Sequence, residues 1–441
     1  MLNYSLQRLI NMPSPLIERG LIFMLGACLS SLLLLAHALA APVQVLEPLI
    51  SEVLASHPSQ KSQALLLQSA QAGVDSALWQ FYPTPSVSVE QASTSPSDLS
   101  YQGDSSVQTL SLKQPLWTGG RLTAGLQKAQ ANIAVSQASM NEVRQQLALR
   151  VVQGYGDWMG AYLKILANEK SMASHMRLQA LVKRRIRGGI APLSDLKLAI
   201  SRLEALESDT SVVRAQHDIA LARLGQLLGH PLAPGALALA TARGLGAGMP
   251  ALLDQALAIY PGLLKAKSLA KVQESVMAER QADVLPEVYL RAEQQYGNFS
   301  YRGGAPESRL FIGVSSRFGA GLSGLSAIEG AKAQYLAALE EVEAQGRIVS
   351  EQVLADYALA ASTMDRLDAL QASIRAAQEV ALSYDRQFLA GRKTWLDVMN
   401  AARELAQTEV QLADVESAQV VVTWRLAIYT QGLTAVLEAQ P

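Results

Sequence analysis

Residues 319–324 form the stretch of the chain that most looks like a chemical site. Their sequence, Gly-Ala-Gly-Leu-Ser-Gly, matches the G-x-G-x-x-G pattern, in which a glycine turn between a strand and a helix approaches a dinucleotide pyrophosphate. A dinucleotide-binding unit returns to a parallel strand within about 30 residues. Residues 322–389 instead continue as one uninterrupted helical pattern. We therefore predict that these glycines form a bend between a strand and a long helix.

The other candidates for catalysis are isolated side chains. His57, His175 and His217 have no second ligand at a metal-binding spacing. The sequence has no H-E-x-x-H, P-loop or G-x-S-x-G pattern. Its single cysteine, Cys28, excludes intramolecular disulfides and thiolate metal sites. We predict neither an enzyme nor a cofactor-binding or metal-binding protein.

The composition favours helices and argues against a nucleic-acid partner. Hydrophobic residues make up 49% of the chain but aromatic residues only 5%, which means many Ala and Leu. The formal net charge is −1, whereas a nucleic-acid-binding protein must neutralise phosphates. No stretch after the first 40 residues is apolar enough to cross a bilayer as a helix.

The first 40 residues have the pattern of a signal peptide. Arg8 and Arg19 precede an apolar run at 21–35, and residues 38–40, Ala-Leu-Ala, supply small side chains for cleavage. A lipoprotein is the alternative, because residues 25–28 resemble a lipobox that ends at Cys28. The apolar run continues past Cys28, which favours cleavage before residue 41. The mature protein is therefore predicted to be exported.

Two very long helices organise the rest of the chain. Residues 121–187 and 322–389 contain no proline and no turn cluster, and a helix of this length spans about 100 Å. Each run stops at glycine, at Gly188 and Gly189 in the first case and at Gly391 in the second, where a chain turns without a Cβ penalty. Globular helices usually run about 8 to 20 residues, so a compact globular core does not explain these helices.

The two halves of the chain form an internal repeat. Landmark residues recur at offsets of 201 to 203 positions. The pairs are Pro83 and Pro286, Trp117 and Phe318, Gly120 and Gly321, Gly189 and Gly391, Asp195 and Asp397, and Arg223 and Arg425. We predict a signal peptide at 1–40, a first repeat at 41–228, a linker at 229–250, a second repeat at 251–432 and a C-terminal tail at 433–441.

Each repeat reads as helix, two strands, long helix and short helix. The strands are predicted at 85–90, 107–116, 287–296 and 309–318. Strands of about ten residues can cross a tilted bilayer, but four strands cannot close a barrel and lipid excludes open strand edges. A trimer would supply twelve strands. The alternative, a small soluble sheet on a coiled coil, leaves the repeat unexplained.

The helices are predicted to pack side by side. The two short helices of each repeat together match one long helix in length. Heptad spacing supports this packing in two places. The residues are Leu367, Leu370, Ile374, Ala377, Ala381, Tyr384 and Phe388 in the long helix, and Leu193, Leu196, Ile200 and Leu203 after the first glycine turn.

Two segments resemble the TolC-like outer-membrane efflux family. They are 114–121, Gln-Pro-Leu-Trp-Thr-Gly-Gly-Arg, and 391–401, Gly-Arg-Lys-Thr-Trp-Leu-Asp-Val-Met-Asn-Ala, and the element order and duplication agree with them. The resemblance covers the mature chain and implies a mainly α fold with a transmembrane β part. It implies a homotrimer in outer-membrane lipid, with a twelve-stranded barrel continued by a long periplasmic α-helical barrel. A periplasmic adaptor and an inner-membrane transporter are the implied partners.

The resemblance also assigns roles to individual residues. Asp397 matches an acidic residue of the tunnel constriction, and this chain departs from many relatives at Asn400, where they have a second acid. The other constriction positions are Phe388, Lys393, Asp195 and Ser194. The turns at the periplasmic tip, where an adaptor docks, hold Gly188, Gly189, Pro192 and Gly391, and the barrel junction holds Pro115, Gly119, Gly120, Gly319 and Gly321.

Simpler interpretations of the charged residues remain open. Asp195 and Asp397 also suit the positive N-terminal ends of their helices. The basic run Lys183, Arg184, Arg185 and Arg187 fits either an adaptor contact or a solvated face near a helix C-terminus.

The predicted function is a passive exit duct powered by its partners. Residues 383–393 resemble the branch of the family that serves type I secretion of large adhesins, in which the inner-membrane transporter is of the ABC type. The alternatives are the outer-membrane component of a proton-driven drug pump and, as a different class, a periplasmic coiled-coil adaptor.

Overall fold

The computed structural model describes residues 45–93, 98–233, 235–316 and 319–438. The predicted signal peptide, Cys28 and Phe318 lie outside these residues. The short segment Leu232–Leu239 belongs to one compact unit, and all the helices and strands belong to another.

The element order follows the predicted repeat. The helices are α1 (Leu46–Ser56), α2 (Pro58–Trp79), α3 (Arg121–Arg187), α4 (Leu193–Leu228), α5 (Met249–Ile259), α6 (Pro261–Asp283), α7 (Ser323–Leu389), α8 (Trp395–Gln431) and α9 (Leu433–Glu438), and the strands are β1 (Thr84–Gln91), β2 (Ser106–Trp117), β3 (Glu287–Tyr296) and β4 (Glu307–Ser315). The mainly α fold with a small β part is confirmed. Both long helices have 67 residues, because nothing in either sequence breaks the backbone hydrogen-bond ladder.

The four strands form one antiparallel sheet in the order β1-β2-β3-β4. Strand β4 begins and ends earlier than predicted, at Glu307 and Ser315, because its pairing with β3 starts at Gln295 opposite Glu307. The chain then leaves the sheet, and the Ser316 hydroxyl donates to the carbonyl oxygen of Val284 at 3.4 Å. The sheet joins the two repeats through the β2–β3 pair.

The first long helix packs against short helices of both repeats, and the second packs against those of its own repeat. Helix α3 lies against α2, α4, α6 and α8, and α7 lies against α6 and α8. All seven heptad positions predicted in α7 are buried or half-buried. In α4 the prediction was wrong for Leu193 and Ile200, which are exposed, because the tip end of α4 packs through Leu196 and Ala199 instead.

The middle of α3 is the most deeply buried part of the long helices. Leu147, Val151, Val152 and Tyr155 are almost fully buried there, where α1 packs on this helix. Helix α9 occupies part of the predicted tail, and its Val436 is fully buried. Across the described ranges, every helix is too short or too polar to span a membrane.

Candidate functional site

One face of the sheet is apolar and exposed, and the other is polar. Paired residues share a face, so the register places Val87 opposite Leu110, and Leu290 opposite Ile312, on the first. The apolar face presents Val87, Val89, Leu110, Leu112, Leu290, Leu310, Ile312 and Val314, each at least 36% exposed. The opposite face carries the cross-strand row of Ser86, Ser111, Glu293 and Arg309. This division is typical of strands with lipid on one side and a water-filled lumen on the other.

Exposed aromatic side chains mark both ends of the sheet. At the end that joins the long helices they are Trp79, Phe81, Tyr82 and Trp117, and at the hairpin-loop end they are Tyr101, Tyr296 and Tyr301. Aromatic rings concentrate at the two interfaces of membrane strands, where they contact both headgroups and hydrocarbon. The two groups of exposed rings are therefore typical of strands that cross a bilayer.

Glycines lie at the bends between the sheet and the long helices. Gly119 and Gly120 have φ of 61° and 92°, and Gly319 and Gly321 have φ of 75° and 58°. A Cβ on Gly119 would lie 2.6 Å from Cβ of Leu285. The sheet is antiparallel and the chain continues directly into α7, so the G-x-G-x-x-G segment serves as a bend here.

Pro115 lies where the pairing of β2 with β3 changes register. It pairs with Tyr289, and Trp117 pairs with Val288 after an irregularity. Proline is tolerated in strands at such bulges because it has no N–H to donate. The bulge lies at the end of β2, just before the glycine bend that leads into α3.

The two tip turns, 188–192 and 390–394, meet on a shared hydrophobic cluster. Its buried members are Leu178, Val182, Ala199, Phe388, Trp395, Val398 and Met399, which come from α3, α4, α7 and α8. The Trp395 indole Nε1 donates to the carbonyl oxygen of Asp195 at 3.0 Å. The coils of the two repeats are therefore bound to each other at this end.

Basic side chains pack on the aromatic rings of this cluster. The Arg185 guanidinium lies 4.5 Å from the centre of the Phe388 ring, and its Nη1 donates to the Phe388 carbonyl oxygen at 3.3 Å. Lys393 Nζ lies 4.2 Å from the centre of the Tyr384 ring. The structure therefore places Arg185, a member of the basic run whose role the sequence left open, on Phe388, and it places Lys393 on Tyr384.

Asp397 caps its own helix. Thr394 donates to Asp397 Oδ2 from its hydroxyl at 2.8 Å and from its backbone N–H at 3.1 Å, and Asp397 N–H donates to the Thr394 hydroxyl at 3.2 Å. This reciprocal pattern is a capping box. The hydrogen bonds from Thr394, helped by the charge of Lys393, hold the pKa of the Asp397 carboxyl below its ordinary value.

The other predicted tip residues lie at the surface. Asn400 is exposed one turn along α8, and Asp195 is half-buried in the first turn of α4. The exposed turn positions are Gly188, Gly189, Pro192, Ser194 and Gly391. Gly189 and Gly391 have φ of 71° and 75°, the left-handed conformation that ends both long helices.

We expect Thr394→Ala to loosen the first turn of α8. The pKa of Asp397 is depressed in the folded state, so its stabilising effect is present above the ordinary value and is lost as pH falls through the folded pKa. The variant should raise this pKa toward the ordinary value and speed backbone amide exchange in residues 395–399 about fivefold at neutral pH. Hydrogen exchange followed by mass spectrometry measures this change.

The matched control is Ser194→Ala. It removes an exposed hydroxyl from the other tip turn, where no side chain caps the helix. Exchange in α4 should stay unchanged in this control. If both variants behave like the wild type at neutral pH, the capping box does not hold the turn.

A close helix crossing at Gly156 and Gly160 was missed by the sequence analysis. A Cβ on Gly156 would lie 2.0 Å from Cγ2 of Val421, and one on Gly160 would lie 2.8 Å from Oγ of Ser417. Both contacts join α3 of the first repeat to α8 of the second. The signal was the Gly-x-x-x-Gly spacing at 156–160, which lets two helices approach closely.

A buried ion pair at Arg425 was also missed, although this arginine was used as a landmark of the repeat. Its guanidinium donates to both carboxylate oxygens of Asp356, with Nε 2.9 Å from Oδ2. Asp356 is 1% exposed. The corresponding arginine of the first repeat, Arg223, pairs with Asp157 at 3.7 Å on the surface. The pair is therefore buried in one repeat only.

The described residues hold no group of three or more His, Cys, Asp or Glu side chains that could bind a metal ion. His175 is buried, and its Nδ1 lies 2.9 Å from the Ser171 carbonyl oxygen. Its ring therefore forms a hydrogen bond within its own helix.

Comparison with known proteins gives matches over most of the chain. A family model described as outer membrane efflux protein matches residues 49–230 and 252–427. The alkaline protease secretion protein AprF of Pseudomonas aeruginosa is 24% identical over 335 residues, which cover 74% of this chain and 69% of AprF.

Solved structures share the fold at low sequence identity. The outer membrane protein VceC of Vibrio cholerae matches with a TM-score of 0.76 and 16% identity, over 88% of this chain and 96% of VceC. CusC matches with a TM-score of 0.76 and 18% identity, over 87% of this chain and 91% of CusC.

Proposed function

Because the chain belongs to the outer membrane efflux protein family and lies in the outer membrane with its helices in the periplasm, we propose that it is the exit duct of a tripartite export system. One observation carries this proposal. A sheet with one apolar and one polar face continues directly into two helices of 67 residues. Such a chain can line a water-filled path across the bilayer and onward from it. Membership of this family argues against the alternative that the chain is a periplasmic adaptor.

The duct is a homotrimer in this proposal. Strands β1 and β4 each have one unpaired edge in the four-stranded sheet, and lipid does not tolerate unpaired backbone groups. Three copies would join these edges into a twelve-stranded barrel. Their helices would form the wall of a tunnel that continues the barrel. The exposed apolar face of the sheet would then contact outer-membrane lipid.

The tip turns are the proposed contact with the periplasmic adaptor. Large aliphatic side chains surround them and are more than half exposed: Ile190, Leu193, Leu389 and Leu396. The basic side chains of residues 183–187 flank this apolar patch. Asp397 and Asn400, close to the turn at Gly391, are the proposed lining of the constriction, with one acid per chain.

Protein secretion is the favoured use of the duct. The relative AprF is by name a secretion protein for an alkaline protease, which supports a type I system with an ABC-type transporter and a protein substrate. The resemblance of residues 383–393 to the adhesin-secreting branch of the family favours an adhesin as that substrate. The second candidate is drug efflux as the outer-membrane component of a proton-driven pump, which the outer membrane efflux protein family also allows.

A clean gene deletion separates the two uses. We expect loss of a secreted or surface-attached protein, measured by cell-surface blotting and biofilm formation, with unchanged sensitivity to dyes, bile salts and antibiotics. A plasmid copy should restore secretion. The reverse pattern, normal secretion and raised sensitivity, would assign the duct to drug efflux and contradict the proposal.

A further inference from the structure

A groove of about 710 Å³ crosses the four helices α3, α4, α7 and α8. This volume is within the range of about 300–1,000 Å³ that is typical of ligand sites. Gly156, Gly160, Ala220 and Ala418 line it. These small residues leave room above the helix crossing, and Val421 and Val422 add apolar surface.

The groove lies on the opposite side of α3 and α8 from the segment that follows residue 239. On α3, the Tyr155 hydroxyl accepts from the backbone N–H of Ala240 at 2.7 Å, and on α8 the Thr423 hydroxyl accepts from the N–H of Arg243 at 3.1 Å. At 100° per residue, Asp157 and Val421 point the other way from these two residues. Both of them line the groove.

The charges around the groove are paired except for one arginine. Lys164 pairs with Asp414 at 2.6 Å, Arg223 with Asp157 at 3.7 Å, and Arg425 with Asp356. Arg366 of α7 also lines the groove, and no acidic residue of the described chain forms an ion pair with it. The groove therefore carries one uncompensated positive charge beside apolar surface.

We propose that this groove binds acidic segments of a polypeptide in transit, with the Arg366 guanidinium as the contact for a carboxylate. The inference rests on the proposed function, and it assigns the face of α3 and α8 opposite the segment at 240–243 to the tunnel wall. A planar guanidinium binds carboxylates through two parallel hydrogen bonds. The apolar floor accepts aliphatic side chains, and the paired charges at the rim add little net field.

The test measures binding of short labelled peptides to the purified full-length protein in detergent, by fluorescence anisotropy. The probes are an acidic Glu/Ala peptide, a neutral Gln/Ala peptide and a basic Lys/Ala peptide. At low salt we expect the acidic peptide to bind about threefold to fivefold more tightly than the neutral one. High salt should abolish the difference, since screening weakens exposed charge contacts.

Variants at Arg366 locate the site. Arg366→Gln should remove the acidic preference, Arg366→Lys should retain most of it, and Arg366→Glu should transfer the preference to the basic peptide. Arg347→Gln is the matched control, because Arg347 is an exposed arginine of the same helix outside the groove. Circular dichroism checks that each variant is folded.

The outcomes separate this inference from the proposed function. Equal binding of the three peptides, or an acidic preference that survives Arg366→Gln, overturns the groove proposal even where gene deletion abolishes secretion. An acidic preference that depends on Arg366 supports the groove as an acidic-peptide site even where deletion leaves secretion intact, and in that case the secretion role alone fails.

Discussion

Replacing Arg425 by methionine is expected to lower the free energy of unfolding by about 3–5 kcal/mol, the usual cost of breaking a buried ion pair. The substitution leaves the carboxylate of Asp356, which is 1% exposed, without its cationic partner. Among the described residues, Gln352, whose Nε2 lies 3.4 Å from both carboxylate oxygens, is then the one remaining hydrogen-bond donor to it. Thermal unfolding of the detergent-solubilised protein, followed by circular dichroism, measures the loss.

Replacing Asp356 by leucine should lower the free energy of unfolding by less than replacing Arg425 by methionine. Arg425 keeps 29% of its side chain exposed, so in Asp356→Leu its guanidinium can remain partly hydrated. The double variant Asp356→Leu with Arg425→Met removes both charges and should recover much of the stability lost in Arg425→Met alone. A double variant that is as unstable as the sum of the two single variants would contradict this account.

The repeat itself supplies the control for this prediction. Arg223 occupies the equivalent position in the first repeat, and its pair with Asp157 has side-chain exposures of 66% and 39%. Exposed pairs contribute about 0–1 kcal/mol. Arg223→Met should therefore unfold within a few degrees of the wild type, and a loss as large as that of Arg425→Met would show that burial is not the deciding factor.

Gly156→Ala is expected to destabilise the protein by about 1–3 kcal/mol, although alanine is the better helix former. The added Cβ would lie 2.0 Å from Cγ2 of Val421, which is far too close for two carbon atoms that are not bonded to each other. Valine is stiff because its side chain branches at Cβ, so α3 and α8 must move apart. The same thermal unfolding measurement reports the effect.

Two further variants identify the cause of this loss. Val421→Ala in the Gly156→Ala background removes the atom that the new Cβ meets, and it should restore most of the lost stability. Gly330→Ala is the matched control, because this exposed glycine of α7 has nothing within 4 Å of its added Cβ in the described chain. That control should be neutral or stabilising by about 0.5–1 kcal/mol.

The sequence predicted the elements well because their limits are local. The first long helix was predicted and observed over Arg121–Arg187, since its end depends on glycines at 188 and 189 and its interior on the absence of proline. The strand limits were less certain. Strand β4 ends at Ser315 rather than at residue 318, because its length is set by pairing with β3 and the sequence alone does not reveal that register.

The packing of α4 shows where periodicity stops being informative. Leu193, Leu196, Ile200 and Leu203 have regular spacing, yet Leu193 and Ile200 are exposed. Apolar spacing identifies a stripe on a helix but not the neighbour that covers it. Here the small residue Ala199 is the buried member that α4 contributes to the tip cluster, whereas Leu193 stays exposed.

The sequence by itself determined the duplication, the long helices, the glycine bends and the four strands, because each of these depends on residues near one another in the chain. The tertiary structure decided the roles of Gly156, Asp356 and Arg366. A glycine in a helix becomes a close contact, and an aspartate becomes half of a buried pair, only when a residue more than 60 positions away is brought against it. Arg366 stands out for a related reason, since a charge is uncompensated only relative to the side chains that the fold places around it.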